Sequence, residues 1–203
     1  MAWKIISYYT ENYKSIYEKY LKSSLDILGL IYYVSELPNF KSWKAATDFK
    51  PVFIQQCLGM FIEDLIWIDC DAKINFYPSL FDNIGKEYDL GVHYFDPRLF
   101  YNYSINPPHV ASGTVFIRNT LKIIPLIEDW IKNTSTVKWE QMALEKAIIN
   151  NPNIKVLNLP RIYCYITSQP SGDLPKVIEE SPCVSHFQAS RIMRNKNEKM
   201  SYM

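Results

Sequence analysis

The chain has almost no net charge: 22 basic against 21 acidic residues in 203, or +1 with histidine neutral. That balance argues against a domain that grips nucleic acid by charge alone. Its four cysteines, Cys57, Cys70, Cys164 and Cys183, include no CxxC pair, so they read as free, buried thiols in a reducing compartment. No basic-then-apolar stretch near the start resembles a secretory leader. No apolar run reaches the roughly 18 residues a bilayer span needs. A cytoplasmic location is therefore expected, a host cytoplasm if the source is viral. Histidine is scarce, with only His93, His109 and His186. Internal repeats and low-complexity segments are missing too.

Hydrophobic residues make up 48% of the sequence. That is enough to bury a sizeable core in one domain without disulfide or metal staples. The 15 tyrosines and 10 phenylalanines are a generous aromatic supply, most of it core, with some free to line a sugar or base pocket. Charge is uneven along the chain. Residues 189–203 hold Arg191, Arg194, Lys196 and Lys199 against Glu198 alone, which leaves 18 basic and 20 acidic residues in 1–188. The expected division is one domain over 1–188 and a basic tail over 189–203.

Strand and helix patterns alternate, which predicts an α/β layer structure. Trp3–Thr10 reads as a strand, with Thr10 as the cap of a helix. Tyr13, Ile16, Tyr17, Tyr20, Leu21, Leu25 and Leu28 recur at helical spacing until Gly29. A second strand is expected over Leu30–Ser35, a polar loop with a helical turn over Asn39–Asp48, and a helix whose first turn holds Pro51. Leu65–Ile68 is continuously apolar, as suits a strand buried on both faces. A short helix is expected over Tyr77–Ile84, strands over Leu90–Phe95 and Ser112–Ile117, helices over Thr120–Lys132 and Trp139–Asn150, and a strand over Val156–Leu159. Residues 96–110 hold three prolines and no period, the pattern of a functional lid or binding loop.

The chemistry gathers where the apolar strand stops, at Ile68-Asp69-Cys70-Asp71. Two carboxylates two residues apart on an extended chain share a side. They stand at the carboxyl end of a buried strand, where open α/β sheets place ligands. Such a pair suits a hard divalent ion shared with substrate phosphates; the plain alternative is two exposed turn aspartates. His186 is either an ordinary hydrogen-bonded residue or a third ligand, one that favours Mn²⁺ over Mg²⁺. His93 and His109 read as structural. Gly113, between Ser112 and Thr114, either marks a bulge or lets a ligand approach the backbone. Glu140 and Gln141 open a helix, so Glu140 either complements the helix dipole or faces a reacting group.

Taken in order, the segments SYYTENY, SWKAATDFKPVFI, LIWIDCDAKI, LGVHY, ASGTVFIRNT, WEQMAL, VLNLPRIYCY and VSHFQASR resemble the GT-A nucleotide-diphospho-sugar transferases, in particular small bacterial and viral ones carrying a DxD motif. The resemblance covers most of the chain. It implies a Rossmann-like, mixed and mostly parallel sheet flanked by helices. It also implies a metal-dependent glycosyltransferase that takes its sugar from a nucleotide-diphosphate donor, such as a UDP-sugar, in a phage or bacterial setting. Asp69, Asp71 and His186 would hold Mn²⁺ or Mg²⁺. Tyr8, Tyr9, Thr10, Lys50, Asp69, Ser112, Gly113, Thr114 and Arg191 would bind the donor, with Arg191 as a diphosphate clamp. Asp71, Glu140 and Gln141 would be catalytic. The acceptor is open among a glycan, a protein and a modified DNA base. The sequence departs from glycogenin-like relatives in lacking their His-x-x-Gly-x-x-Lys pattern. Two other readings of the same residues are a metal-dependent phosphoesterase and a non-catalytic nucleotide-sugar binding module.

Overall fold

The computed structural model describes residues 3–96, 109–167 and 181–189. Trp3–Thr10 is the first strand, β1. The helical stretch after it changes pitch as it runs: a 3-10 turn (Glu11–Tyr13), α1 (Lys14–Tyr17), a π turn (Glu18–Lys22) and α2 (Ser23–Leu28). Thr10 precedes it with extended backbone, but its side chain makes no capping hydrogen bond. The first turn is 3-10, so it does not present the amides that a capping oxygen normally accepts from. Gly29 ends the stretch at φ 61°. The Leu30 N–H donates to Leu25 O at 3.1 Å and the Gly29 N–H to Asp26 O at 3.3 Å, the paired bonds of a Schellman stop.

Further along come β2 (Tyr32–Leu37), α3 (Trp43–Asp48) and α4 (Lys50–Met60). α3 lies in the stretch read from sequence as a polar loop with a helical turn; that turn is a short helix capped by Ser42, Oγ accepting from the Ala45 N–H at 3.1 Å. Next are β3 (Asp64–Ile68), β4 (Ala72–Ile74), a 3-10 turn at Ser79–Asp82 inside the expected helix Tyr77–Ile84, and β5 (Leu90–Phe95). The chain continues through β6 (His109–Ile117), α5 (Ile124–Thr134), α6 (Glu140–Asn150), β7 (Val156–Asn158), β8 (Tyr165–Ile166) and β9 (Val184–His186). Most of the expected loop, 97–108, and the tail from 190 lie outside the described residues.

Six strands form the main sheet in the order β2-β1-β3-β6-β5-β7. β1 runs parallel to β2 and β3, and β5 parallel to β7; β6 is antiparallel to β3 and β5. The sheet is therefore mixed, with parallel pairings in the majority. A second sheet, β4-β9-β8, stands at the carboxyl end of β3.

The continuous apolar run of β3 follows from a sheet covered on both faces. Leu65 and Trp67 enter one core with Ile6, Val115, Ile117, Phe53, Ile127 and Trp130. Ile66 and Ile68 enter the other with Ile5, Phe116, Leu21 and Leu25. Leu65, Ile66 and Ile68 are fully buried, each worth roughly 1.5–3 kcal/mol relative to exposure. This anchoring sets the position at which the next residue, Asp69, leaves the sheet.

Candidate active site

Asp69, Asp71 and His186 converge, each offering a ligand atom within 4.8 Å of the others. Three elements bring them together. β3 delivers Asp69, whose N–H donates to Gly113 O at 2.9 Å. A tight turn follows, the Ala72 N–H donating to Asp69 O at 2.9 Å, and this swings Asp71 back. β9 pairs with β4 so that His186 stands opposite Ala72. Asp71 is then fixed through Oδ2, which accepts from the Ala189 N–H at 2.8 Å. Cys70 packs against the second core and away from the ligand set.

The electrostatics favour a cation. Burial, with help from the charge of Asp69, pushes the Asp71 carboxyl up to about 6, against the pull of the Ala189 N–H. Two crowded carboxylates that resist ionising together are relieved by a positive ion. Burial also pushes His186 down to about 4, although Asp69 pulls the other way. Its imidazole is thus neutral near pH 7, the form that binds metals. Nε2 of that ring lies 2.9 Å from Thr114 Oγ1, which engages one nitrogen and leaves Nδ1 to act as ligand. A partner on the far nitrogen is the usual way of orienting a histidine ligand.

Behind this set lies a buried charge network. Lys50 Nζ is 3.0 Å from Asp69 Oδ1 and 3.2 Å from Glu140 Oε2. It also donates to Ser112 O at 3.0 Å and Ser112 Oγ at 3.2 Å. Burial disfavours its charge, but Asp69 and Glu140 outweigh that and raise its pKa. Ser112 Oγ donates to Glu140 Oε2 at 2.7 Å. Burial raises the Glu140 pKa despite Lys50 and Ser112, and Glu140 Oε1 is buried with no hydrogen-bond partner among the described residues. Trp67 Nε1 donates to Asp69 Oδ1 at 2.8 Å.

Gly113 sits under the imidazole. A Cβ there would lie 2.8 Å from His186 Cε1 and 3.0 Å from Nδ1. The close approach to backbone expected of this glycine is made by a side chain of the protein itself. Thr114 is fully buried against the same ring and Ser112 nearly so.

Tyr8, Tyr9 and Thr10 stand on the same sheet edge as the cluster. Ile6 pairs with Trp67, so Tyr8 and Asp69, each two residues on, stand at one level. Tyr8 is buried among Phe49, Phe53 and Trp67, and its hydroxyl donates to Ala46 O. Tyr9 and Thr10 are half-buried. Tyr9 stacks on Tyr17 at 4.4 Å and donates to Glu36 Oε2 at 3.0 Å. Gln141 is half-buried beside Glu140. Arg191 lies outside the described residues. His93 and His109 are held by Leu159 O and Glu145, away from the cluster.

The sequence reading did not include Trp67 or the Ala189 N–H. Trp67 was legible, since it shares a strand face with Asp69 by the same two-residue period. A backbone donor more than a hundred residues away leaves no trace in the sequence.

This architecture is the GT-A, Rossmann-like fold. No family model and no curated protein matches the chain by sequence; the likeness is to solved structures. A glycosyltransferase involved in glycosylation of the major capsid of PBCV-1 superposes at TM-score 0.70 with 15% identity, over 98% of this chain and 100% of that one. The galactosyltransferase LgtC, solved with donor and acceptor sugar analogues, gives 0.57 and 10%, over 94% of each chain. Mouse xyloside xylosyltransferase 1 gives 0.56 and 10%, over 93% and 98%. At these identities the likeness shows the fold.

Proposed function

We propose that this chain transfers a sugar from a nucleoside-diphosphate donor to an acceptor hydroxyl, with Asp69, Asp71 and His186 holding a divalent metal ion. The observation that carries the reading is the donor set: two carboxylates and a neutral imidazole converging at the carboxyl end of β3. Charge balance supports it. When ionised, Asp69, Asp71 and Glu140 face the single ammonium of Lys50, leaving two negative charges for a divalent cation to cancel. The carboxylates suit Mg²⁺ or Mn²⁺ and the imidazole favours Mn²⁺. Such an ion, when bound, supplies Lewis-acid stabilisation of the departing diphosphate.

The protein's own groups have separate tasks in this proposal. Lys50, its donors taken up by Asp69, Glu140 and Ser112, is a positioning residue that fixes both carboxylates. Thr114 orients His186, and Gly113 makes room for it. Tyr9 and Thr10 line the nucleoside, with Tyr8 as the wall behind. Ser112, Glu140 and Gln141 lie toward the donor sugar, where the unpartnered Glu140 Oε1 has hydrogen-bonding capacity to spare. Arg191 is proposed as a second clamp on the diphosphate, carried by a basic tail that follows a single domain over 1–188. A UDP-sugar is the proposed donor, and the proposed setting is a bacterial cytoplasm, that of the host if the source is a phage. A glycan, a protein or a modified DNA base is the acceptor. Among the described residues no helix is long and apolar enough to cross a membrane.

The test is donor hydrolysis with Mn²⁺ present. Asp71→Asn keeps the shape and one acceptor oxygen but loses the charge. It should lower turnover by roughly 100-fold or more, the scale of losing one group that stabilises developing charge, with an unchanged circular dichroism spectrum. Turnover like wild type would sink the assignment.

A further inference from the structure

Beside the metal-ligand cluster, and sharing none of its three residues, lies an open groove of about 390 Å³ between α1–α2 and the free edge of β4. Its lining includes Lys19, Tyr20, Ser23, Lys73, Asn75 and Phe187. The volume falls in the range of small-ligand sites, about 300–1,000 Å³. Tyr20 and Phe187 stack directly on each other in its wall, ring centroids 4.3 Å apart with 18° between their planes. Among the described residues, neither Lys19 nor Lys73 has a carboxylate within ion-pair distance.

Two unusual backbone features meet at that aromatic contact. Tyr20 sits inside the π turn Glu18–Lys22, a rare element that is frequent at functional sites. Phe187 is followed by Gln188, a non-glycine residue at φ 50°, in a region that costs of order 1–3 kcal/mol and persists only where the surroundings enforce it. The same segment reaches the metal ligands. Phe187 follows His186, its N–H donates to Asp71 O at 3.4 Å, and the Ala189 N–H holds Asp71 Oδ2. Lys73 is two residues beyond Asp71 and Phe187 follows His186, so the groove and the cluster are built on the same two segments.

We infer that the groove binds an acidic sugar of the acceptor, with Lys19 and Lys73 on its anionic group and the Tyr20–Phe187 wall against its ring. The Ser23 hydroxyl is available to sugar hydroxyls, and so is Asn75 Oδ1, while the Asn75 amide nitrogen is held by Pro182 O and Ser185 Oγ at 2.9 Å each. Two lysines match one carboxylate or phosphate better than the repeated phosphates of a nucleic acid, where affinity grows with the number of phosphates neutralised. The inference rests on the glycosyl-transfer reading, since it names the acceptor's chemistry.

Binding is measured on the full chain without added metal, using sialyllactose, glucose phosphate, neutral lactose and a single-stranded oligonucleotide as probes. At least one of the two acidic sugars should bind about tenfold more tightly than lactose, equivalent to about 1.4 kcal/mol. The double variant Lys19→Gln/Lys73→Gln should lose that preference while keeping stabilisation by Mn²⁺ and nucleoside diphosphate. No preference for either acidic sugar, or a preference that survives in the variant, overturns the inference. An oligonucleotide that binds more tightly than both sugars and is lost in the same variant overturns it in favour of nucleic acid. If the acidic-sugar result holds but wild type shows no nucleotide effect, the transfer reading fails, and the groove stands as an acidic-sugar site but not as an acceptor site.

Discussion

Gly113 and Lys50 carry the tightest constraints around the cluster, and both have measurable consequences. Gly113→Ala places a methyl group 2.8 Å from the His186 ring, inside van der Waals contact. The buried ring must move off Thr114, and its nitrogen leaves the ligand set. Stabilisation by Mn²⁺ should be lost while the protein alone remains folded, as thermal melts with and without the ion would show; a full Mn²⁺ effect in Gly113→Ala would contradict the role given to that ring. Lys50→Met should be more damaging to the fold. It leaves Glu140 buried without its counter-charge and Asp69, about a third exposed, only partly relieved by water. Breaking a buried pair costs roughly 3–5 kcal/mol, and screening at Asp69 places the expected loss toward the lower end. Urea denaturation measures it, and a loss well under 1 kcal/mol would mean that the network is dispensable. At this scale Asp69 and Asp71 were legible because carboxylates at the end of a buried strand mark a ligand position, but the chain is a turn rather than extended at Asp71, and that turn, not the two-residue spacing, brings them together. His186 was visible mainly by scarcity. That Ser112 and Thr114 bond to Glu140 and His186 was not legible, since the pairing of β6 with β3 and of β9 with β4 decides what a strand hydroxyl meets.

Elements with a strong period or a defined stop were read nearly as they stand. β1 and β5 have the bounds expected, and Gly29 ends the α1–α2 stretch in the left-handed region. Gly29→Ala tests that stop cleanly, because nothing lies within 4 Å of the added methyl and only the backbone penalty remains. The expected cost is about 1–2 kcal/mol, less for Gly29→Asn; no change in the denaturation midpoint for alanine would show that the chain reaches the turn without that conformation. The second sheet escaped the sequence for a physical reason. β4, β8 and β9 have two or three residues each, too few to display a period, and they exist because residues distant in the chain pair. α3 was read only as a helical turn within a loop, because six residues are too few to display a helical period.

Across the whole molecule, the two apolar cores hold a mixed sheet whose carboxyl-end edge gathers Tyr8, Tyr9 and Thr10 from β1, the two aspartates after β3, and His186 from the small sheet. The resemblance drawn from eight short segments and the fold seen in the structure agree, at identities of 10–15% to the solved glycosyltransferases. A fold at that distance hosts many chemistries, so function rests on the site. The most direct test is a thermal-shift panel of nucleoside diphosphates, each with and without Mn²⁺, on wild type and Asp71→Asn. The account predicts one nucleotide, UDP first among them, that stabilises wild type only when Mn²⁺ is present and leaves Asp71→Asn unmoved. Stabilisation that ignores Mn²⁺, or that survives in Asp71→Asn, would contradict it.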